Sequence, residues 1–450
     1  GMHSRLQCRR PLVHVARKGG DKVRPMNYVL NRKVKLGVRA TRGHGNVHFV
    51  TREDSSGGAL VIDQSASMLI EAMQRDPSYK PSASEFEVLE RLATEGVVSR
   101  TDATQRDPQF SADNLQFWVQ TSDRCNLACT YCYIPSLNSA RVCRPDLFSL
   151  FGKKLLGVNG LKSVSIKLAG GEPLLSFHDW CEDLVELRNT LTASNIRLNA
   201  RIITNLTFLN RKIIDYIKAN EIGVSVSLDG LAANNDRNRV FQGSGHGSFH
   251  IVKKNLSVLR DNGIKPGVMI TATSENSVGI RELIESLVED DLVFRLSDAK
   301  GGHIRPAEFE IAFASVKQTL NRAVAGGYQI SQRMVISDLR TLEPQATPCS
   351  MGTTGGALYL DGSIYFCHTE FEKGSPLGNL DEADGLLNII RRGYTKHLGL
   401  SQDCQACEYR FVCAGGCPLY RENGKSPMCS AYKKIIPRIF DLYDEESSRV

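Results

Sequence analysis

The chain has 450 residues, 41% of them hydrophobic and 23% charged, with a formal net charge of +7. Those proportions suit a soluble globular protein of two or three domains, and no apolar run approaches the roughly 18 residues of a membrane span. The basic stretch from Arg5 to Arg24 lacks an apolar core, which excludes a secretory signal; Gly1 ahead of Met2 reads as an expression scar. Thirteen cysteines without an export signal argue for metal ligation in a reducing cytoplasm, not for disulfides.

In chain order, residues 1–24 form a solvated basic tail. Much of the positive charge sits there and between Arg24 and Arg42, so it says little about nucleic acid; an acidic peptide is a partner it would attract. Residues 25–105 read as a small separate domain. Val34–Val38, Val47–Val50 and Ala59–Ile62 are short strands between glycine-rich turns. A helix from Ser65 to Met73 places Met68, Leu69, Ala72 and Met73 on one face. A second opens with the capping box Ser82-Ala-Ser-Glu85, points Phe86, Leu89 and Ala93 inward and closes at Gly96. Strands followed by helices over this length make a winged-helix layout. DNA is the rival ligand for such a layout, but Glu85, Glu87, Glu90 and Glu95 on or beside the second helix would repel phosphates.

Over residues 113–320 the pattern alternates between strand and helix. The strands are Gln116–Thr121, Val164–Leu168, Arg201–Thr204, Gly223–Leu228, Gly267–Thr271 and Val293–Leu296, with helices such as Trp180–Leu191, Arg211–Asn220, Phe249–Asn262 and Gly279–Glu289 between them. Repeated units of this kind predict an α/β fold, a parallel sheet curved into a partial (β/α)6 barrel with active residues at the C-terminal strand ends. Residues 340–440 are short in regular pattern and dense in cysteine. Within them Asp361-Gly362 reads as the type I′ turn of a hairpin joining Ala357–Leu360 to Ser363–Phe366.

The chemistry begins after the first barrel strand, with Cys125-Asn-Leu-Ala-Cys129-Thr-Tyr131-Cys132. Three thiolates in one tight loop suit a cubane iron–sulfur cluster, whose usual set is four cysteines, and leave one iron open. A zinc knuckle is the alternative, although zinc sites complete a tetrahedron with a second pair of ligands. The pattern resembles the radical S-adenosylmethionine (SAM) superfamily. That resemblance implies a four-iron cluster whose open iron grips SAM's methionine part, and electron transfer that yields a 5′-deoxyadenosyl radical. Gly170-Gly171-Glu172-Pro173 after the second strand resembles the family's GGEP motif, which holds the SAM amino group. Asn205 ends the third strand and joins the expected SAM contacts; Ser227 ends the fourth and corresponds to a ribose contact, and Tyr131 to a position beside the adenine. Asn235 and Leu231 depart from the family's usual His and Pro, which puts the local loop shape in question.

Farther on, Cys349-x17-Cys367 is followed by Cys404-x2-Cys407-x5-Cys413-x3-Cys417 and Cys429. This array resembles the SPASM domain found behind radical SAM cores that modify peptides. The resemblance implies one auxiliary four-iron cluster on Cys404, Cys407, Cys413 and Cys429, and another on Cys349, Cys367 and Cys417 with either an open iron or a remote fourth ligand. Zinc is the alternative for Cys404 to Cys417. Cys8, Cys143 and Cys181 fit no spacing, and Cys181 reads as a small buried hydrophobe. His368, directly after Cys367, stands where sulfatase-maturing relatives carry an Asp base, and is a candidate base near neutral pH; Asp229 is a second residue that could face the substrate.

The order of regions resembles maturases of ribosomally synthesised, post-translationally modified peptides (RiPPs). By that resemblance residues 25–105 are a RiPP recognition element that binds a leader peptide as an added strand. The implied function is a peptide cyclase that joins two side chains of a precursor peptide, with SAM and three [4Fe-4S] clusters as cofactors. A flavodoxin- or ferredoxin-type protein would be the reductant, and neither nucleic acid nor membrane a partner. Thioether formation, epimerisation, sulfatase maturation and a catalytically inactive peptide-binding protein remain the alternatives.

Overall fold

The computed structural model describes residues 28–447 except 31–33, 42–44, 53–59, 63, 77–78, 80, 95–96, 101–111, 135–140 and 343–344. The expectations for the basic tail, Cys8, Ala59, Glu95 and Gly96 lie outside the described residues.

Five short strands and two helices come first. β1 (Tyr28–Leu30) pairs antiparallel with β5 (Val98–Arg100), while β2 (Val34–Thr41), β3 (Gly45–Arg52) and β4 (Leu60–Ile62) form an antiparallel sheet. Helix α1 (Gln64–Arg75) buries Ala66, Leu69, Ile70 and Met73, and α2 (Phe86–Thr94) buries Leu89 and Leu92. All of these but Ala66 join Val50, Val97 and Val98 in a core of their own. Met68, placed inward by the sequence, is 63% exposed. The buried stripe runs through 66, 69, 70 and 73, and a residue one step from 69 lies about 100° round the helix. Glu85 behaves as the capping box requires: its carboxylate accepts hydrogen bonds from the Ser82 N–H (2.6 Å) and hydroxyl (2.7 Å).

The main sheet has ten strands. Seven are consecutive and parallel: β6 (Asn114–Gln120), β7 (Ser163–Ala169), β8 (Arg197–Thr204), β9 (Gly223–Ser227), β10 (Gly267–Ala272), β11 (Phe294–Asp298) and β12 (Met334–Ile336). All six predicted strands are present, and β12 extends the half-barrel by one. Helices α3 (Leu147–Leu156), α4 (Cys181–Ala193), α5 (Arg211–Ala219), α6 (Ala232–Asn238), α7 (Phe249–Asp261), α8 (Ile280–Glu289) and α9 (Pro306–Ala325) lie between the strands in sequence. Hydrophobic residues on one face of each strand, such as Phe117, Ile166, Ile202 and Val224, belong to one core with the inner faces of the helices. Phe117 meets Phe151 of α3 edge-on, ring centroids 4.8 Å apart, a contact worth roughly 1 kcal/mol beyond the buried area.

Alternation sends the other residues of each strand into the lumen. There β7 presents Ser163, Ser165 and Lys167, β8 Arg197, Asn199 and Arg201, and β11 Arg295 and Ser297, all wholly or partly accessible to solvent. A closed barrel fills its interior with packed apolar layers; here the interior is polar and can receive a ligand. Beyond β6 the sheet continues with β13 (Gly355–Leu358), which runs parallel to β6, then antiparallel with β14 (Ser363–Tyr365) and β15 (Gly378–Asn379). The predicted hairpin is present as part of the barrel sheet, but its turn is not type I′, which needs positive φ at both Asp361 and Gly362: only Gly362 (φ 88°) has it, and the Gly362 N–H closes the turn on the Tyr359 carbonyl at 3.1 Å.

Candidate active site

The Cys125–Cys132 loop leaves the C-terminal end of β6 and is anchored just before its first cysteine. Asp123, 1% exposed, accepts from Gln120 Nε2 (3.0 Å) and the Tyr359 hydroxyl (3.0 Å) and pairs with Arg141 (2.7 Å). Within the loop the Cys132 N–H donates to the Cys129 carbonyl at 3.1 Å. Cys125 Sγ accepts from the Leu127 N–H (3.4 Å) and from Asn205 Nδ2 (3.7 Å) at the end of β8. Burial pushes the Cys125 thiol up to about 12, and the negative charges of Glu172, Cys129 and Cys132 add to the rise. Burial raises Cys129 and Cys132 as well. Thiols so placed become thiolates only beside a strong positive charge, and a metal centre supplies one.

Glycine is required at 170 and 171 by backbone packing. A Cβ on Gly170 would overlap the Ser122 carbonyl oxygen, and one on Gly171 the Arg124 carbonyl oxygen. The close approach these glycines allow is to the segment leading into the cysteine loop. Two hydrogen bonds fasten the same seam, from the Gly171 N–H to Ser122 O (2.8 Å) and from the Glu172 N–H to Arg124 O (2.6 Å).

Glu172 is 1% exposed. Its carboxylate accepts from the Leu174 N–H (3.0 Å), the Thr204 hydroxyl (2.6 Å) and the Asn205 N–H (2.6 Å). A carboxylate offers about four acceptor positions, so about one remains for a bound ammonium. Burial raises its pKa to about 7, against the pull of those three donors. Pro173 starts the following turn, and its carbonyl accepts from Trp180 Nε1 at 3.0 Å. Asn205 ties three pieces together, donating to Asn126 Oδ1 (3.1 Å) and accepting from the Thr207 N–H (2.9 Å). Ser227 is half-buried at the end of β9.

Tyr131, Asp229 and Arg239 form a knot beneath the loop. The Tyr131 hydroxyl donates to Asp229 Oδ2 and accepts from Arg239 Nη1 (2.6 Å), while Arg239 stands 3.7 Å from Asp229. Asp229 also accepts from the Thr271 N–H at 2.9 Å and is fully buried. This corrects the expectation that Asp229 faces a substrate: its oxygens hold the loop in place. Arg239, which no role was assigned from sequence, supplies the compensating charge.

The later cysteines fall into two groups. Cys404, Cys407, Cys413 and Cys429 line one small pocket with Tyr409, Arg410 and Lys433. Cys349, Cys367 and Cys417 lie close enough that Cys367 and the nearby Asp338 add to the burial that pushes Cys349 and Cys417 each up to about 12. Asp338 is itself bound to Lys300 (2.9 Å) and Arg295 (3.2 Å). Among the described residues no three His, Cys, Asp or Glu side chains form a group that could hold one metal ion. A four-iron cube differs in giving each thiolate its own iron, and the sets of three, four and three thiols fit its donor chemistry. Cys143 and Cys181 are buried away from all of them.

His368 stacks on Trp118 with ring centroids 3.8 Å apart, meets Tyr133 edge-on at 4.8 Å, and has Nδ1 3.6 Å from Cys367 Sγ. Burial, reinforced by Lys167, lowers its pKa to about 3. The ring is neutral near pH 7, but a nitrogen that holds a proton only below about pH 3 is a weak base, which departs from the expectation of a base working near neutral pH.

Residues 119–290 match the Radical SAM superfamily. A cysteine-type anaerobic sulfatase-maturating enzyme of Clostridium perfringens is 22% identical over 355 residues, 71% of this chain and 94% of that one. Among solved structures, native anSMEcpe with bound AdoMet and the Cp18Cys peptide has a TM-score of 0.63 at 19% identity, covering 75% of this chain and 100% of that one. Streptococcus suis SuiB bound to the precursor peptide SuiA has a TM-score of 0.50 at 16% identity, covering 89% and 98%. No helix among the described residues is long and apolar enough to cross a membrane.

Proposed function

From a chain whose residues 119–290 match the Radical SAM superfamily, we propose a radical SAM peptide maturase that joins two side chains of a ribosomally made precursor. The observation that carries this reading is the seam at the C-terminal ends of β6, β7 and β8, where Cys125, Glu172 and Asn205 meet around one open-sided loop. Cys125, Cys129 and Cys132 would hold a four-iron cluster, Glu172 would take the SAM amino group, and Asn205 and Ser227 would contact the rest of that molecule. When bound, the reduced cluster and SAM supply a 5′-deoxyadenosyl radical able to take hydrogen from an unactivated carbon. The chain orients the reacting peptide in the lumen and keeps water from it. Residues 25–105 would hold the leader by strand addition, and the two later cysteine groups would hold auxiliary clusters that accept the second electron.

The likeness to sulfatase-maturating enzymes over 71% of the chain favours a second reading, oxidation of a sulfatase-type peptide. Co-expression with small peptides encoded beside the gene, followed by tandem mass spectrometry, separates the two. A loss of two hydrogens localised between two residues supports cross-linking. The same loss confined to one Ser of a sulfatase peptide, or that loss with sulfur exchanged for a water oxygen at one Cys, supports the second reading, and an unchanged mass with deuterium uptake would point to epimerisation.

Glu172 gives a pH test. Only its carboxylate form attracts an ammonium group, and its pKa stands at about 7 in the protein without SAM. SAM affinity is therefore expected to fall about tenfold for each pH unit below that value and to level off above it. Anaerobic equilibrium dialysis between pH 5.5 and 8.5 reads this out; Glu172→Gln should bind weakly at every pH and lose the slope.

A further inference from the structure

Three lumen-facing side chains stand abreast on neighbouring strands, and none pairs with a carboxylate among the described residues. Trp118 of β6 is the register partner of Lys167 of β7, and Lys167 that of Arg201 of β8. Neighbouring strands are about 4.8 Å apart, so the three side chains rise from one row. The Trp118 ring is 9% exposed, and its Nε1–H is buried without an acceptor. A buried donor left unpaired costs roughly 1–3 kcal/mol, which a bound acceptor oxygen would recover.

Among anionic groups, the Cys349 thiol acts on Lys167. No carboxylate among the described residues forms an ion pair with either Lys167 or Arg201. Arg201 is fixed, its guanidinium reaching over β9, where Nη1 donates to Val224 O (3.1 Å) and Ser225 Oγ (3.2 Å). Gly223 leaves room for that pose, since a Cβ there would stand 2.9 Å from the guanidinium carbon. Arg295 and Arg340 add positive charge nearby, while Asp338, the near anion, is bound to Lys300 and Arg295. Burial first, then Arg295, Arg201 and Arg340, lowers the Lys167 ammonium to about 8. Like charges in a confined space are held together at a cost that an anion would relieve.

We propose that Trp118, Lys167 and Arg201 form a carboxylate-binding subsite in the lumen, which selects an acidic group on the peptide substrate. This rests on the peptide-maturase reading and adds to it a substrate class: the segment that reaches the lumen carries an Asp or Glu side chain, or ends there in its terminal carboxylate. The carboxylate would receive charge-assisted hydrogen bonds from Lys167 and Arg201 and a neutral one from the indole.

The test is anaerobic calorimetric titration of the full-length, cluster-loaded protein with acetyl-Gly-Glu-Gly-amide, acetyl-Gly-Gln-Gly-amide and acetyl-Gly-Gly-Gly bearing a free C-terminal carboxylate. One of the two acidic peptides should bind about tenfold more tightly than the Gln amide, and which one it is identifies the source of the carboxylate. Lys167→Met and Arg201→Met should each shrink that ratio severalfold, and Lys167→Arg should keep it. Equal binding of all three peptides by the parent protein overturns the subsite, as does a preference that survives Lys167→Met combined with Arg201→Met. Loss of iron together with loss of preference in Lys167→Met also overturns it, because the cation would then serve the cysteine group at Cys349. The same preparations are assayed for 5′-deoxyadenosine. A missing preference with intact SAM cleavage counts against the subsite alone, and absent cleavage with an intact preference counts against the function alone.

Discussion

Cys125→Ala protein, reconstituted without oxygen, is expected to make no 5′-deoxyadenosine from SAM and dithionite and to carry about four irons fewer than the parent chain, which should hold about twelve. The size of the effect follows from position. Cys125 is the first thiol after the strand anchor at Asp123, and its sulfur meets Leu127 within the loop and Asn205 on β8. Two remaining thiols cannot hold a cube that already lacks one protein ligand. Iron content and nucleoside release are separate measurements, so a misfolded variant is distinguishable: the Cys404, Cys407, Cys413 and Cys429 group should keep its iron. Nucleoside formation by Cys125→Ala at the parental rate would move the reactive centre elsewhere in the chain. Four irons accompanied by bound zinc in the parent protein would retire the assignment of the later cysteines.

Gly171→Ala should be nearly as damaging although it removes no ligand. The added methyl would overlap the backbone of Asp123 and Arg124. That backbone is poorly able to give way, because Asp123 is pinned by Gln120, Tyr359 and Arg141 and the seam is fastened by the Gly171 and Glu172 N–H groups. Overpacking commonly costs about 1–3 kcal/mol, and a site held from both sides belongs at or above the upper end. Denaturant titration should show that loss, and SAM affinity should drop more than about tenfold as Cys125 and Glu172 are pushed apart. Gly385→Ala is the control, since a Cβ there meets nothing within 4 Å. Equal behaviour of the two variants would mean that the seam is not what positions the site.

The parallel core was legible because its signals are local. Strands such as Val164–Leu168 alternate apolar and polar residues, and helices such as Arg211–Ala219 bury Ile213, Ile214 and Ile217 at helical spacing. β12 was not found because three residues carry no period. α9 was passed over although Phe309, Phe313, Val316 and Leu320 mark its inner face plainly. Long-range pairing was the harder part. Nothing near Ala357 announces that its strand lies beside β6, and nothing near Gly171 announces that its neighbour is the carbonyl of Arg124. The same limit applied to the site: residue types at motif spacing could be assigned partners, but Asp229 reads alike whether it faces a substrate or, as here, Tyr131 and Arg239. Lys167 and Arg201 gave no sequence signal at all, because a charged residue on a strand becomes unusual only once its strand is known to line an enclosed space.

The run of β13 along β6 restricts how a peptide can reach the lumen. Gly355 to Leu358 match Gln116 to Val119 residue for residue, so swinging the cysteine-rich region outward would tear open a four-residue ladder and take Trp118 with it. A clamshell that gapes along this line is therefore disfavoured. A chain-like guest would thread in past the other margin, where β12 ends the sheet with its flank unzipped, and the spacing between the forward cysteine loop and Cys367 would hold steady throughout, as a fixed span for electrons.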